Sequence, residues 1–203
     1  MSDTVANDLY GTTLGAHGMV MLDDFDGIDN AWTSYVGNII EYPSEFELPN
    51  ATTTASPPYP GSGVQQGGID VDPTNYASVQ GNTSATYTIL GGNSLRAFSF
   101  YMGSPDSYNK VTFNLVGGGS EVFQGADIWG GTPAGNGDRS VGYRVYYDFG
   151  GAQVSSITFE SSQNAFEFDG LAGVVPEPGT WALMIMGFGG AGAMLRSRRR
   201  LLV

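Results

Sequence analysis

From residue 81 to residue 171 the chain repeats one pattern, a short apolar–polar alternation closed by Gly, Pro, Asn, Asp or Ser. A period of two puts alternate side chains on opposite faces of a strand, so this pattern calls for half-buried β-strands. Residues 83–90 place Ala85, Tyr87 and Ile89 on one face, before a Gly91-Gly92-Asn93 turn. Residues 95–102 give the strongest strand signal and stop at Gly103-Ser104-Pro105-Asp106, where Pro and Asp suit a type I turn. Residues 110–116 show Val111, Phe113 and Leu115 on one face, and Gly117-Gly118-Gly119 turns them into residues 121–123 as a hairpin. Strands follow over residues 141–149, where Val141, Tyr143, Val145 and Tyr147 alternate with Arg144, Tyr146 and Asp148, and over 154–160 and 165–171. Upstream, residues 19–25 and 32–42 read as two further strands. Pro49, Pro57, Pro58 and Pro60 make residues 43–63 a loop, and residues 124–139 form a second. About nine or ten strands without a helical period predict an all-β fold, an antiparallel jelly-roll-like β-sandwich. It should span residues 19–175, after a flexible or truncated leader at 1–18. Asp24 and Asp26 near the first strand and Glu167 and Asp169 in the last make those strands natural neighbours.

Residues 176–203 break the pattern. They read Pro176-Glu177-Pro178-Gly179-Thr180-Trp181-Ala182, an apolar run to Leu195, and then Arg196-Ser197-Arg198-Arg199-Arg200. Trp181 to Leu195 is 15 residues without a charge. As a short C-terminal hydrophobic helix it would cover about 22 Å, against a hydrocarbon core of about 30 Å. Arginines that snorkel to the headgroups narrow that gap. Gly187, Gly189, Gly190 and Gly192 lower helix propensity but allow close backbone approach in a membrane. Arg196, Arg198, Arg199 and Arg200 act as a membrane stop that keeps the C-terminus cytoplasmic and the body exported. A buried core helix would have no reason to end in four arginines.

This order of parts resembles the PEP-CTERM sorting signal, in the variant with Trp-Ala after Pro-Glu-Pro and two intervening residues. The resemblance implies that Pro176, Glu177, Pro178, Trp181 and Ala182 form the sorting motif. It implies processing by an exosortase, an integral-membrane cysteine transpeptidase, in a Gram-negative host that makes exopolysaccharide. It further implies an inner-membrane-tethered precursor that ends at the cell surface or in the extracellular matrix. The body is similar to a family of small exosortase-dependent surface proteins through residues 98–109 (FSFYMGSPDSYN) and 164–170 (NAFEFDG). The chain has Met102 where that family has Trp and Gly170 where it has Asn. That likeness implies a strand plan and an address rather than a chemistry. An exported chain should open with a basic n-region and an apolar h-region; residues 1–18 hold neither, so the true start is expected upstream.

Composition narrows the functional classes. The net charge is −12, and residues 1–175 hold 19 acids against four bases, so −15 for the body. Such a surface repels nucleic acid and excludes it as a partner. No cysteine is present, which removes disulfides, thiolate metal sites and Cys nucleophiles together. His17 is the one histidine and has no matched Ser and Asp pattern, so a catalytic triad is not expected.

The leading expectation is therefore a non-enzymatic exported surface protein of the envelope or the exopolysaccharide and biofilm matrix. The alternative is a lectin-like carbohydrate-binding module, with Trp129, Tyr146 and Asn109 as glycan contacts through ring stacking and hydroxyl hydrogen bonds. Calcium is the candidate cofactor for such a module, held by Asp24 and Asp26 of the acidic turn at 23–29, whose carboxylates include Asp23 and Asp29, with Asp169 of the last strand as a partner. A solvated acidic turn is the plainer account of those residues. A small glycan hydrolase is the third reading, because two carboxylates about 5–10 Å apart would suffice.

Overall fold

The computed structural model describes residues 2–6, 8–27, 33–37, 39–42, 65–66, 69–70, 74–103, 106–130, 142–163, 165–176, 185–189, 194 and 196. Strands β1 (Ser2–Ala6), β12 (Gly142–Asp148), β9 (Ala97–Gly103), β14 (Phe166–Val174), β7 (Tyr76–Val79) and β4 (Ile39–Tyr42) line up in that order as one sheet. Strand β2 (Val20–Asp23) also pairs with β14. The facing sheet has the order β11 (Ser120–Gln124), β10 (Asn109–Leu115), β13 (Val154–Ser161), β8 (Thr83–Ile89) and β3 (Thr33–Gly37). A separate ribbon pairs β5 (Gln65–Gln66) with β6 (Ile69–Asp70).

Every pairing is antiparallel, and the central ones nest. Strand β7 pairs with β14, β8 with β13, β9 with β12, and β10 with β11. Successive pairs fall in alternate sheets, so one long folded strip wraps around a single core, as in a jelly roll. The predicted antiparallel sandwich is therefore found, with β2 beside β14 as the acidic strand ends suggested.

The period-two pattern explains the core. Phe98 and Phe100 from β9, Phe166 and Phe168 from β14, Phe113 from β10 and Phe159 from β13 are all fully buried between the sheets. The Phe159 and Phe168 rings stack at 4.1 Å, and Phe100 meets Phe159 edge-on at 5.3 Å. Each such side chain contributes about 1.5–3 kcal/mol by burial, and well-oriented ring pairs add about 0.5–1.5 kcal/mol.

Two expectations need correction. Of the expected leader, residues 2–6 and 8–18 are built into the fold. Strand β1 pairs with β12 from Ser2 opposite Tyr147 to Ala6 opposite Tyr143, and Asp8, Leu9 and Leu14 are buried. The segment lies over the outer face of the first sheet, where Leu14 and Met19 join Tyr146 and Ala172 in a second small apolar cluster. The single strand expected over 32–42 is divided between the sheets, β3 on β8 and β4 on β7. Gly37 ends β3 at φ 134°, with Ser84 O only 2.4 Å from where a Cβ would sit, so the chain can press against β8 there. Among the described residues no helix is long and apolar enough to cross a membrane. Of the predicted C-terminal helix, residues 185–189 and 194 are helical, and Ile185, Met186, Phe188 and Met194 are exposed. Most of the remainder lies outside the described residues.

Candidate functional site

The connections divide the sandwich into two ends. The segments 80–82, 125–130 and 162–163 lie at the end where β14 begins, because they join β7 to β8, follow β11, and follow β13. The segments 90–96, 116–119 and 149–153 lie at the other end, where β14 finishes and the sorting segment leaves.

At the first end, the strand termini of the second sheet frame an open polar groove of about 380 Å³. Its lining includes Asn82, Tyr108, Lys110, Gln124, Glu160 and Ser162. The Asn82 wall is built by a tight turn. Thr83 N donates to Gln80 O at 3.2 Å, Thr83 Oγ1 donates to the same oxygen at 2.6 Å, and Asn82 takes the left-handed conformation at φ 58°. Asn tolerates that region better than most side chains. Asn82 N then donates to Ser161 O at 2.7 Å, tying the turn to β13. Lys110 on β10 and Glu160 on β13 stand opposite each other in register and pair at 2.7 Å, each about a third exposed. They neutralise each other, so the groove carries no net charge from this pair in a strongly acidic protein. Beneath it, fully buried Asn109 accepts from Ser161 Oγ at 2.9 Å, while its Nδ2 has no partner among the described residues. Hydroxyls, amides, one half-exposed Tyr and a neutralised ion pair suit a neutral, hydroxyl-bearing ligand better than an ion.

A second polar centre lies under the N-terminal segment, with a buried arginine at its heart. Arg144 on β12 is fully buried. Its Nε donates to Asp8 O at 2.8 Å, Nη2 to Leu9 O at 2.7 Å, and Nη1 to Gly170 O at 2.8 Å. Gly170 sits in a β-bulge of β14 at φ 53°, and a Cβ there would lie 2.6 Å from Arg144 Nη2. The Asp8 carboxylate accepts from Thr12 N at 2.7 Å, Thr12 Oγ1 at 2.6 Å and Thr13 N at 3.2 Å, and from the Thr13 hydroxyl. Burial alone would raise the Asp8 carboxyl, but those hydrogen bonds outweigh it and hold it below the ordinary carboxylate range. Burial pulls the Arg144 guanidinium below its ordinary value, and the neighbouring Tyr146, Asp8 and Asp169 counter only part of that pull. Tyr146 is raised by burial, bonds Thr13 Oγ1, and stacks on His17 at 3.9 Å. With its donors spent on backbone carbonyls, Arg144 has the arrangement of a structural lock.

The residues singled out for glycan contact are not where that role needs them. Trp129 is 4% exposed, at the end of the 3₁₀ turn Gly125–Trp129 that plugs the groove end of the core. The carbonyl of Ile128 in the same turn accepts from Tyr147 Oη at 2.7 Å. Tyr146 is 3% exposed and Asn109 is fully buried, so none of the three offers a face to a sugar. Asn109 does lie in the strand next to the groove, but as a support.

The calcium candidates are engaged otherwise. Asp24 Oδ1 accepts from Asp26 N and Gly27 N, closing its own turn. Asp26 Oδ1 accepts from Asn75 N at 3.0 Å, and Asp169 accepts from Thr74 Oγ1 at 2.9 Å and Gly170 N at 2.6 Å. The structure thus brings Asp26 and Asp169 to the same stretch, 74–75. Even so, among the described residues no three His, Asp or Glu side chains are placed to hold a metal ion.

At the other end the sorting segment follows the fold without a spacer. Val174 O accepts from Arg96 N at 2.9 Å, Val175 packs against the core, and Pro176 is half-buried. Glu177, Pro178, Trp181, Ala182, Arg198, Arg199 and Arg200 lie outside the described residues, and Arg196 is exposed.

A two-sheet antiparallel sandwich with an apolar, Arg-ended segment on its last strand describes the class of molecule. Residues 174–200 match the PEP-CTERM protein-sorting motif. That motif implies recognition by an exosortase and an exported protein sorted through the membrane. No curated protein matches the sequence. A solved structure of a peptidoglycan O-acetylesterase is similar at 16% identity over 78% of this chain and 33% of that one, with a TM-score of 0.39. The chain thus spans about a third of that structure.

Proposed function

We propose that this is a non-enzymatic surface protein, cleaved by an exosortase at its Pro-Glu-Pro element and delivered to the exopolysaccharide matrix of the envelope. The observation that carries the reading is the match of residues 174–200 to the sorting motif, beginning on the last residue of β14. With so little chain between them, cleavage near residue 178 releases the whole sandwich and leaves only the apolar segment behind. Mass spectrometry of the mature C-terminus, in the native host with and without its exosortase, tests this. The expected result is a chain ending near residue 178 in the wild type and running to Val203 in the deletion strain. A chain ending at Val203 in both strains overturns it.

The groove framed by Tyr108, Lys110 and Glu160 favours a second reading, a lectin-like module that holds neutral saccharide. Its lining supplies donors and acceptors for sugar hydroxyls without a net charge from its ion pair, and its volume falls in the usual range for a small ligand, about 300–1,000 Å³. Titrating the host's own exopolysaccharide against the wild type and a Lys110→Ala, Glu160→Ala double variant tests this. Binding lost in the variant supports the groove, and equal binding by both removes it.

A further inference from the structure

The two ends of the sandwich present different chemistry, and the sorting segment leaves from only one of them. We propose that the end formed by residues 90–96, 116–119 and 149–153 is a membrane-facing surface, seated on phospholipid headgroups while the C-terminal segment is inserted. This rests on the membrane-tethered precursor proposed above.

Chain length makes the first argument. Val175 is packed against the core, and Trp181 opens the apolar run six residues on. At about 3.6 Å per residue those six residues reach at most about 22 Å. Strand β14 alone runs nine residues, about 30 Å at 3.3 Å each. The tail end must therefore stay within about 22 Å of the bilayer, less than the length of the sandwich, whereas the groove end is under no such limit.

Apolar exposure makes the second. Leu90 is 37% exposed and Val116 55%, both in tail-end turns, and Val20, opposite Gly173, is 52% exposed. Glycines fill the turns around them, at 91–92, 117–119 and 150–151, which leaves the backbone at those positions free of side-chain bulk.

The absence of cysteine permits a clean test on the full chain. Leu90→Cys, Val116→Cys, Gln124→Cys and Ser162→Cys are each labelled with a fluorophore and reconstituted into vesicles of phosphatidylethanolamine and phosphatidylglycerol carrying a headgroup-attached nitroxide quencher. Quenching severalfold stronger at 90 and 116 than at 124 and 162 is the expected result. Equal quenching at all four positions in protein that floats with the vesicles overturns the orientation alone. Protein that does not float with the vesicles overturns the tethered precursor, and this proposal with it.

Discussion

Strand β12 is buried on both of its faces, and the two faces are built from opposite materials. Inward, Tyr143, Val145 and Tyr147 join the aromatic core between the sheets. Outward, Arg144 and Tyr146 are sealed just as completely, under residues 8–19. The inner face gains its stability from dispersion and apolar area and is insensitive to pH. The outer face is a polar network whose worth depends on every donor and acceptor being matched. Burial alone therefore does not define a core here; what satisfies the buried atoms does.

The largest effect should come from the inner face. Phe100→Ala removes a ring in contact with Phe159, Phe166 and Tyr147 and should cost about 3–5 kcal/mol. Amide exchange should quicken through both sheets, because the ring sits in the shared core. Arg144→Ala should cost a comparable or smaller amount, about 3 kcal/mol, by stranding the carbonyls of Asp8, Leu9 and Gly170. Exchange should then quicken first over residues 2–19 and leave β10 and β13 protected at low denaturant. Uniform loss of protection in Arg144→Ala would break the distinction between the two faces.

The same contrast explains what could be read from the chain. Period-two alternation reports which residues face the inter-sheet core, so strands β8 to β14 were legible, and the acidic ends of β2 and β14 marked those two as neighbours. It cannot report that a polar face is also covered, because Arg144 and Tyr146 look like any solvated residues of a half-buried strand. Residues 2–6, Ser-Asp-Thr-Val-Ala, carry almost no apolar signal, and their strand exists because β12 offers an unpaired edge. The groove was missed for a related reason. It is assembled from the ends of four strands distant in sequence, and only the opposition of Lys110 and Glu160 hints at it. Trp129 misled because a Gly-rich stretch reads as an exposed loop, whereas its 3₁₀ turn plugs an open end of the core. The sorting segment was legible throughout because its parts are contiguous.

A smaller effect tests the seam between the faces. Gly170→Ala places a Cβ at φ 53° and 2.6 Å from Arg144 Nη2. The backbone strain alone is worth about 1–3 kcal/mol. Most of the added loss should vanish in an Arg144→Ala background, where the clash is gone and only the strain remains. A double-mutant cycle measures that coupling. Full additivity would mean that the guanidinium is not held against the bulge.

The smallest effect is the most specific, because it depends on pH. Asp8 is held below the ordinary carboxylate range by the hydroxyl and amide donors of Thr12 and Thr13. A carboxyl that binds its proton less tightly when folded stabilises the fold above its unfolded-state value. That contribution fades as pH falls through the lower folded-state value. Asp8→Asn should therefore cost about 1–2 kcal/mol near neutrality, on the scale of hydrogen bonds to a charged group. The gap between variant and wild type should narrow below about pH 4, the ordinary Asp range. Reading the difference between two proteins, rather than one stability curve, cancels the self-repulsion that the other acids lose over the same range. Urea denaturation at a series of pH values supplies the measurement. A gap that stays constant from neutrality down to about pH 2.5 would mean that Asp8 acts by shape and not by charge. The outer face would then be apolar in its energetics after all.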